Sequence, residues 1–278
     1  MGNNRKLFIS DFDQTLAMTD KSISPATQEA LEDWCKRGNL FFLSTGRAMR
    51  DARNLAEKLD LTPERFPGLY IIAFNGGEVY DCTADRIIYH AGIKRELIPQ
   101  LFSLAKETGL YIQTYDDTHI LAEYEAPELT FYNTWCKLPH RIAPDIMTLV
   151  NNDPAKCLAI TQDHGELLPV LREKIMKTFP DELNSFQSSE YLLEIVPAGV
   201  DKGECLKKMA EMLDIPIENT IAAGDAPNDI PMIMAAGLGI VMKNGAAIYP
   251  EVEEAGRAPG NVITDEDNDH DALVRYLK

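Results

Sequence analysis

The sequence predicts an α/β fold: a doubly wound parallel-sheet, Rossmann-like core that carries an inserted α+β domain. Short apolar segments alternate with helical segments near the N-terminus, and this alternation returns in the last third of the chain. Between them, pairs of strand-like segments separate single helices. Apolar strands joined by helices are typical of a parallel sheet covered on both faces, whereas strand pairs between helices are typical of an α+β layer. We therefore assign residues 1–83 and 190–278 to the core and residues 84–189 to the insertion.

The first part of the core is predicted to alternate strands and helices. Its strands are the apolar runs Leu7–Ser10, Leu40–Leu43 and Leu69–Phe74. Ser24 and Pro25 predict the start of a helix, because Ser caps helices and Pro is favoured at the first helical position. Gly38 is expected to end that helix. A second helix is predicted from Ala48 to Leu59.

The middle of the chain has a different pattern. Its predicted strands are Ile87–Tyr89, Tyr111–Tyr115, Ile120–Tyr124, Cys157–Thr161 and Tyr191–Val196, and its predicted helices are Glu96–Lys106 and Glu166–Met176. Tyr111–Tyr115 and Ile120–Tyr124 are predicted to form a hairpin, and the stretch between this hairpin and Cys157, which carries Pro127, Pro139, Pro144 and Pro154, is predicted to form loops. Strand pairs of this kind indicate an inserted domain and not a continuation of the parallel sheet.

The last third repeats the first pattern. A helix is predicted over Lys202–Leu213, because its apolar residues recur at helical spacing. The strands that follow are Thr220–Ala223, Leu238–Val241 and Val262–Ile263, with a helix over Pro231–Ala236. The simplest account of this pattern is one sheet built from both ends of the chain.

Composition excludes several classes of function. Of the 278 residues, 27 are Lys or Arg and 44 are Asp or Glu, so the formal net charge is −17. Such a surface repels a phosphodiester backbone, and we expect no nucleic-acid partner, although a small anionic substrate needs only a locally positive pocket. No apolar run reaches the ~20 residues that span a bilayer, and the segment before Asp11 lacks the apolar core of a signal peptide. The five dispersed cysteines are typical of free thiols in a reducing compartment. We therefore expect a cytoplasmic protein with no membrane partner.

Two carboxylates follow the first predicted strand. Asp11 and Asp13 point to the same side of an extended chain, because side chains alternate along it. Carboxylates held together repel unless a cation or a proton lies between them. The alternative interpretation is an acidic turn or a helix cap, where Asp is common.

A second pair of carboxylates follows another apolar strand, within Gly224-Asp225-Ala226-Pro227-Asn228-Asp229. In open α/β sheets, ligands bind beyond the carboxyl ends of the strands. Asp11, Asp13, Asp225 and Asp229 would therefore share one edge of the sheet. Four carboxylates at one edge need a hard divalent cation, and Mg²⁺ suits oxygen ligands that also hold a phosphate.

The remaining candidates suit anion binding. Ser44-Thr45-Gly46-Arg47 follows the second strand and resembles a phosphate-binding turn, although a plain strand-to-helix turn has the same composition. Asn75-Gly76-Gly77 follows the third strand and is also a favourable turn by itself. Lys202 begins a helix, where a cation opposes the helix dipole, so it requires an anionic partner. Local pairing with Asp201 or Glu204 is the alternative.

Together these residues resemble a known family. Asp-x-Asp-x-Thr after the first strand, Thr45 after the second, Lys202 before a helix and then Gly-Asp-x-x-Asn-Asp resemble the haloacid dehalogenase superfamily of phosphohydrolases. Thr-Gly-Arg, the Asn-Gly pair and the large insertion resemble its Cof-type, sugar-phosphatase-like branch, whose cap domain is inserted at this place. The resemblance extends from about Phe8 to Asp271.

The resemblance implies a role for each matching residue. Asp11 would be the nucleophile that becomes an aspartyl phosphate, and Asp13 the general acid and then the general base. Thr45 would hydrogen-bond the phosphoryl group, and Lys202 would offset negative charge. Mg²⁺ would bind Asp225, the Asp11 side chain and the Asp13 main-chain carbonyl, with Asp229 near the outer shell. The candidate substrate-binding residues are Gly46, Arg47, Asn75, Gly76 and Asn228.

The implied activity is Mg²⁺-dependent hydrolysis of small phosphomonoesters, such as sugar phosphates, by a monomer or small homo-oligomer. A sugar phosphomutase that uses the same intermediate is the alternative enzyme. A phosphorylated receiver domain is the non-enzyme alternative, but such domains are compact and lack a large insertion. The sequence departs from the family at Gln14, where Gly is usual, at Pro227, and at His270-Asp271-Ala272. Gln14 puts the rate and the substrate range in question.

Overall fold

The computed structural model describes residues 5–278, and residues 1–4, which the sequence assigns to the core, lie outside the described residues. Contacts divide the chain into two compact units. The larger unit comprises the chain up to Gly46, Ala52–Tyr89 and Asp201–Lys278, and the smaller unit comprises Arg47–Asp51 and His90–Val200. Among the described residues, no helix combines the length and the apolar character that crossing a membrane requires.

The strands and helices are numbered in chain order. The strands are β1 (Leu7–Asp11), β2 (Leu40–Ser44), β3 (Leu69–Ala73), β4 (Glu78–Asp81), β5 (Arg86–His90), β6 (Tyr111–Tyr115), β7 (Ile120–Ala122), β8 (His140–Ile142), β9 (Cys157–Ile160), β10 (Leu183–Ser189), β11 (Leu192–Pro197), β12 (Thr220–Gly224), β13 (Leu238–Val241) and β14 (Val262–Ile263). The helices are α1 (Pro25–Lys36), α2 (Met49–Lys58), α3 (Ile98–Thr108), α4 (Pro127–Cys136), α5 (Leu167–Thr178), α6 (Lys202–Met212), α7 (Ile230–Ala235), α8 (Lys243–Ile248) and α9 (Pro250–Gly256).

The larger unit is built on an eight-stranded sheet in the order β14-β13-β12-β1-β2-β3-β4-β5. It is parallel from β14 to β3, and β4 pairs antiparallel with β3. β1 lies between β2 and β12, so the chain leaves β1 to one side and returns to it on the other. This is a topological switch point, where open sheets bind ligands. The predicted doubly wound core is confirmed, and the carboxyl ends of β1, β2 and β12 meet at one edge.

Burial explains why these segments form central strands. All five residues of β1, β2, β3 and β12 are buried, as expected for strands covered on both faces. α1 begins as predicted, since the Ser24 hydroxyl accepts a hydrogen bond from the Thr27 amide at 3.1 Å. Its Trp34 is fully buried and donates to the Leu40 carbonyl at 2.9 Å. The Trp34 hydrogen bond holds α1 against β2.

The smaller unit is an α+β layer, as the sequence predicts. Its six-stranded sheet has the order β10-β11-β9-β6-β7-β8 and is antiparallel except between β7 and β8. α3 and α5 pack together with alternate residues of these strands in one apolar cluster. The remaining alternate residues of these strands are more polar. They include Gln113 of β6 and Glu194 of β11, each of which is paired with Leu158 of β9.

The prediction of a loop-rich stretch after Tyr124 is wrong for residues 127–136, which form α4. Pro127 occupies the first turn, where its missing amide hydrogen costs no hydrogen bond. Leu129, Tyr132 and Cys136 recur at helical spacing and are buried. The four prolines therefore do not indicate an irregular stretch throughout, because the first of them starts a helix.

The structure also contains several short elements that the sequence does not predict. These are β4, β8, β10, α8 and α9. β8 is only three residues long and mostly exposed, and the second half of β10 is exposed and rich in Ser and Gln. Neither therefore shows the apolar run that identifies a buried strand. α8 and α9 are six and seven residues long, too short for a helical period to be visible.

The smaller unit ends later than the predicted insertion. The sequence places the limits of the insertion at residues 84 and 189, whereas the contacts place them at 90 and 200. β5 pairs at the edge of the larger sheet, and β11 pairs with β9 and β10 in the smaller one. Strand pairing decides these limits, and pairing partners cannot be deduced from an isolated apolar run.

A buried ion pair lies within the smaller unit. Lys156 Nζ is 2.8 Å from Glu194 Oε2, and the two side chains are 1% and 6% exposed. Ser188 donates to the other oxygen of Glu194 at 2.9 Å. Burial lowers the pKa of Lys156, but Glu194 and Tyr132 outweigh it and hold the pKa above its usual value. The ammonium group therefore depends on Glu194 for its charge.

We expect Glu194→Leu to lower the free energy of unfolding by about 3–5 kcal/mol, because it leaves the buried ammonium of Lys156 without its counter-ion. Urea denaturation of the variant beside the parent protein checks this. The matched control is the double variant Lys156→Met/Glu194→Leu, which removes both charges and should recover most of the loss. A single variant as stable as the parent would contradict the expectation.

Candidate active site

The loop after β1 turns sharply at Gln14. Asp11 ends the strand, residues 12–16 form a single tight turn, and Gln14 has φ of 63° and ψ of 11°. This left-handed conformation favours Gly, and a residue with a side chain adopts it at a cost of about 1–2 kcal/mol. After the turn, the Thr15 hydroxyl donates to Asp225 Oδ1 at 2.7 Å. The turn therefore connects the loop after β1 to the loop after β12.

Lys202 lies between two carboxylates. Its Nζ donates to Asp11 Oδ1 at 2.6 Å and to Asp229 Oδ1 at 2.5 Å, and its side chain is fully buried. α6 places it there because the Asp201 side chain caps the helix, accepting from the amides of Gly203 and Glu204. The alternative of local pairing with Asp201 or Glu204 is not what the structure shows. Lys202 and Asp11 lie 191 positions apart in the sequence, and the fold brings them into contact.

The loop after β12 is organised around Asp229. Its second oxygen accepts from the amides of Asp225 and Ala226, both at 3.0 Å. Gly224 is required here, because a Cβ at that position would lie 2.3 Å from the Cβ of Asp229. Both Asp229 oxygens are thus engaged, one with Lys202 and one with the loop. This favours a supporting role for Asp229 and leaves Asp225 to face the Asp11 carboxylate.

The acidic groups repel one another in a buried environment. Burial raises the pKa of Asp11 well above its usual range, and Asp229 and Asp225 raise it further against the effect of Lys202. Burial raises the pKa of Asp225 to about 6, while the Thr15 hydrogen bond opposes the shift. Burial lowers the pKa of Lys202, but Asp11 and Asp229 outweigh burial and keep the ammonium charged. One cation thus faces three carboxylates.

The three carboxylates fit a hard divalent cation. Asp11, Asp225 and Asp229 each offer an oxygen, and these oxygens lie within 4.8 Å of one another. A set of carboxylate oxygens is what Mg²⁺ prefers, and a cation would relieve the repulsion that raises the pKa values of Asp11 and Asp225. The carboxylate oxygens that these three residues offer therefore suit Mg²⁺, the metal that the sequence predicts.

Asp13 does not join this group through its carboxylate. Its side chain forms an ion pair with Lys21 at 2.8 Å, and the two side chains are 39% and 50% exposed. Of the four carboxylates predicted to share one cation, the structure brings three together. Asp13 lies in the tight turn of residues 12–16, so the alternation of an extended strand, on which the prediction depends, does not continue to it.

The turn after β2 packs against the loops after β3 and β12. Thr45 is buried, and its carbonyl accepts from the Asn75 amide at 3.1 Å. The Asn75 side-chain oxygen accepts from Asn228 Nδ2 at 3.1 Å. A Cβ at Gly46 would lie 3.1 Å from the Asn75 side-chain amide. The structure therefore brings together four of the residues predicted to hold phosphate or substrate.

Gly76 and Arg47 have different surroundings. Gly76 has φ of 107°, and a Cβ there would lie 2.5 Å from the Asp201 carbonyl oxygen, so its place beside the start of α6 requires glycine. Arg47 belongs to the smaller unit and forms an ion pair with Asp51 at 3.2 Å. Their assignment to substrate binding stays a prediction.

Sequence reasoning missed Asn244 and Gly245. Asn244 Nδ2 donates to the Gln14 carbonyl at 2.9 Å, and a Cβ at Gly245 would lie 2.1 Å from the Asp225 carbonyl oxygen. Both follow β13, whose carboxyl end lies at the same edge of the sheet as β12. That placement was the available signal, but Asn-Gly after a strand is also a common turn.

Comparisons with known proteins agree with the family resemblance that the sequence motifs indicate. A protein-family model described as haloacid dehalogenase-like hydrolase matches residues 8–277. The 5-amino-6-(5-phospho-D-ribitylamino)uracil phosphatase YcsE of Bacillus subtilis is 28% identical over 251 residues, 90% of this chain and 88% of that protein. The HMP-PP phosphatase of Cronobacter sakazakii is 26% identical over 234 residues, 84% and 82% of the two chains. A haloacid dehalogenase-like hydrolase from Bacteroides thetaiotaomicron has a similar crystal structure, with a TM-score of 0.84 and 30% identity over 98% of each chain.

Proposed function

The chain belongs to the haloacid dehalogenase-like hydrolases, and on this basis we propose that it hydrolyses phosphomonoesters of small metabolites with Asp11 as nucleophile and Mg²⁺ as cofactor. The predicted enzyme class, a phosphoric monoester hydrolase, is confirmed by relatives that are phosphatases. The observation that carries the proposal is the buried group of Asp11, Lys202, Asp225 and Asp229 at the switch point of the sheet.

In the first proposed step, an Asp11 oxygen attacks the phosphorus of the substrate. A bond forms between that oxygen and the phosphorus while the bond from the phosphorus to the leaving oxygen breaks, which gives an aspartyl phosphate. Asp13 donates a proton to the leaving oxygen. Its partly exposed side chain beside Lys21 can exchange that proton with solvent. Lys202, fixed at 2.6 Å from Asp11, offsets negative charge on the phosphoryl group and on the carboxylate.

In the second proposed step, water attacks the phosphorus of the intermediate. Asp13, now ionised, takes a proton from this water, the bond to the Asp11 oxygen breaks, and inorganic phosphate leaves. The Asp11 carboxylate is restored beside Lys202. Phosphoryl transfer depends on positioning and charge neutralisation, so this oxygen-rich group needs neither His nor Cys.

Mg²⁺ would be held by the carboxylates of Asp11 and Asp225 and by the main-chain carbonyl of Asp13, with Asp229 supporting them. When bound, it neutralises charge on the phosphate oxygens. Thr45 is proposed to hydrogen-bond the phosphoryl group. Its main chain is held by β3 and by Asn75, since its amide donates to the Ile72 carbonyl at 2.9 Å. We also propose that Gly46, Arg47, Asn75, Gly76 and Asn228 contact the substrate.

The proposed substrates are phosphorylated small molecules, such as sugar phosphates. The relatives act on 5-amino-6-(5-phospho-D-ribitylamino)uracil and HMP-PP, as their names state, which supports a small phosphorylated metabolite as the substrate. The inserted unit would exclude bulk water during the reaction. A cytoplasmic location and a monomeric or small homo-oligomeric state stay predictions.

The function is tested by phosphate release from p-nitrophenyl phosphate and from a panel of sugar and nucleobase-containing phosphomonoesters. We expect turnover that requires Mg²⁺ and stops when the ion is chelated. ³¹P NMR of the products separates hydrolysis from transfer, because a phosphomutase would convert one ester into another without inorganic phosphate. Absence of hydrolysis across the panel in the presence of Mg²⁺ would refute the proposal.

A further inference from the structure

Asn244 and Gly245 contact both acidic loops of the site. Asn244 donates a hydrogen bond to the Gln14 carbonyl in the loop after β1. Gly245 packs its main chain against Asp225 in the loop after β12, so closely that a Cβ would lie 2.6 Å from the Asp225 Cα. Two consecutive residues of α8 thus set the separation of the loops that carry Asp11 and Asp225.

Asn244 contacts Gln14, the residue with a left-handed main-chain conformation in the loop after β1. Gln14 holds the left-handed φ of 63° between Asp13 and Thr15. A hydrogen bond to its carbonyl fixes the peptide that leads to Thr15, whose hydroxyl donates to Asp225. Rotation about Gln14 would also turn the peptide that contains the Asp13 carbonyl. One hydrogen bond therefore constrains both neighbours of Gln14.

The orientation of the Asn244 side-chain amide is set by its hydrogen bond to Gln14. Its Oδ1 is buried and accepts no hydrogen bond from any residue in the range 5–278, while its Nδ2 donates to Gln14. Turning the amide over would place two oxygens against each other. Removing the side chain therefore deletes one identified hydrogen bond, which makes the effect of a substitution simple to interpret.

From these contacts we infer that Asn244 is a positioning residue that holds Gln14 in its left-handed conformation and thereby presents the Asp13 main-chain carbonyl to the cation. The inference rests on the proposed function, since that function makes this carbonyl a Mg²⁺ ligand. It also explains how the chain retains a side chain where a left-handed turn favours glycine. Asn244 supplies the constraint that keeps the less favourable conformation populated.

The inference predicts that the effect of an Asn244 substitution on Mg²⁺ binding depends on which residue is present at position 14. A purely structural role of Asn244 would not produce this dependence. Asn244→Ala should weaken Mg²⁺ binding about five- to tenfold, the range expected when one hydrogen bond is lost. In a Gln14→Gly background the same substitution should weaken it less than about twofold, because glycine adopts the left-handed conformation without a side-chain penalty. Such a difference in a double-mutant cycle measures the coupling of the two residues.

The test measures the dissociation constant of Mg²⁺ alone by isothermal titration calorimetry for the parent chain, both single variants and the double variant. Asn244→Leu, which keeps the volume and lacks the donor, repeats the measurement if the alanine variant folds poorly. Asn261→Ala is the matched control, because its Nδ2 also donates to a main-chain carbonyl, that of Ala255 at 2.9 Å, and it follows α9 outside the acidic loops. It should leave the Mg²⁺ constant unchanged.

Equal effects of Asn244→Ala in both backgrounds, or a Mg²⁺ constant that neither Asn244 variant changes, would overturn the inference. These outcomes differ from failure of the proposed function. A parent chain that binds Mg²⁺ but hydrolyses no phosphomonoester refutes the function, whereas the titration still decides whether Asn244 and Gln14 are coupled.

Discussion

Replacing Asp11 by Asn is expected to lower kcat at least about 10⁴-fold, as removal of a catalytic nucleophile does in enzymes that act by covalent catalysis. The amide keeps the size of the carboxyl group but cannot attack phosphorus. The assay is phosphate release from p-nitrophenyl phosphate with Mg²⁺. Asp33→Asn is the control, because Asp33 is an exposed carboxylate on α1 and should not affect turnover.

The loss should not come from unfolding. Burial raises the pKa of Asp11, so the folded protein binds a proton there more tightly than the unfolded chain does. Stability contributed by this group is therefore lost as the pH rises above the unfolded value of about 4. Asn cannot ionise, so without metal at pH 8 the variant should be at least as stable as the parent. An inactive but unfolded variant, or an active one, would contradict the assignment of Asp11.

Lys202→Met is expected to have the second large effect, on both activity and stability. It leaves Asp11 and Asp229 buried without the ammonium group that they share. Removing one partner of a buried ion pair costs about 3–5 kcal/mol in the free energy of unfolding. Loss of a charge that stabilises the transferring group lowers kcat about 10²–10³-fold. Urea denaturation in metal-free buffer and the phosphatase assay measure the two effects.

The loss of stability should depend on pH. Without Lys202, which lowers the pKa of Asp11, that pKa rises further in the folded protein, so the destabilisation is largest above it and decreases as Asp11 is protonated at lower pH. Lys207→Met is the control on the same helix, since Lys207 is exposed and pairs with Glu204 at the surface. A destabilisation that does not change between pH 5 and pH 8 would mean that lost packing, not charge, explains the effect.

The sequence was sufficient for the core because its central strands are wholly apolar. β1, β2 and β12 are recognisable without knowledge of their partners, and the residues that follow them become neighbours once the strands are placed in one parallel sheet. This is why Asp11 and Asp225 could be predicted to meet, whereas Lys202 was placed beside Asp11 by the resemblance to a known family. The resemblance to a known family then assigned them roles that the apolar pattern alone does not contain.

Other features depend on contacts that the sequence does not display. Asn244 becomes important only when α8 packs beside the turn at Gln14, and the bond between Asn75 and Asn228 joins positions 153 residues apart. α4 was missed because prolines were interpreted as breakers throughout the stretch. The Asp13 carboxylate was expected beside the other three, but in the structure it pairs with Lys21, a contact that its position after β1 does not reveal.

The central claim is that Asp11 is phosphorylated during turnover, and trapping that intermediate tests it most directly. Asp13→Asn should slow hydrolysis of the intermediate more than its formation from p-nitrophenyl phosphate, whose leaving group needs no proton. We predict a burst of nitrophenolate close to one per active site. Acid quenching, borohydride reduction and peptide mass spectrometry should then find the modification at Asp11. Turnover without a modified Asp11 in either the parent or this variant, or a modification at another residue, would contradict the account.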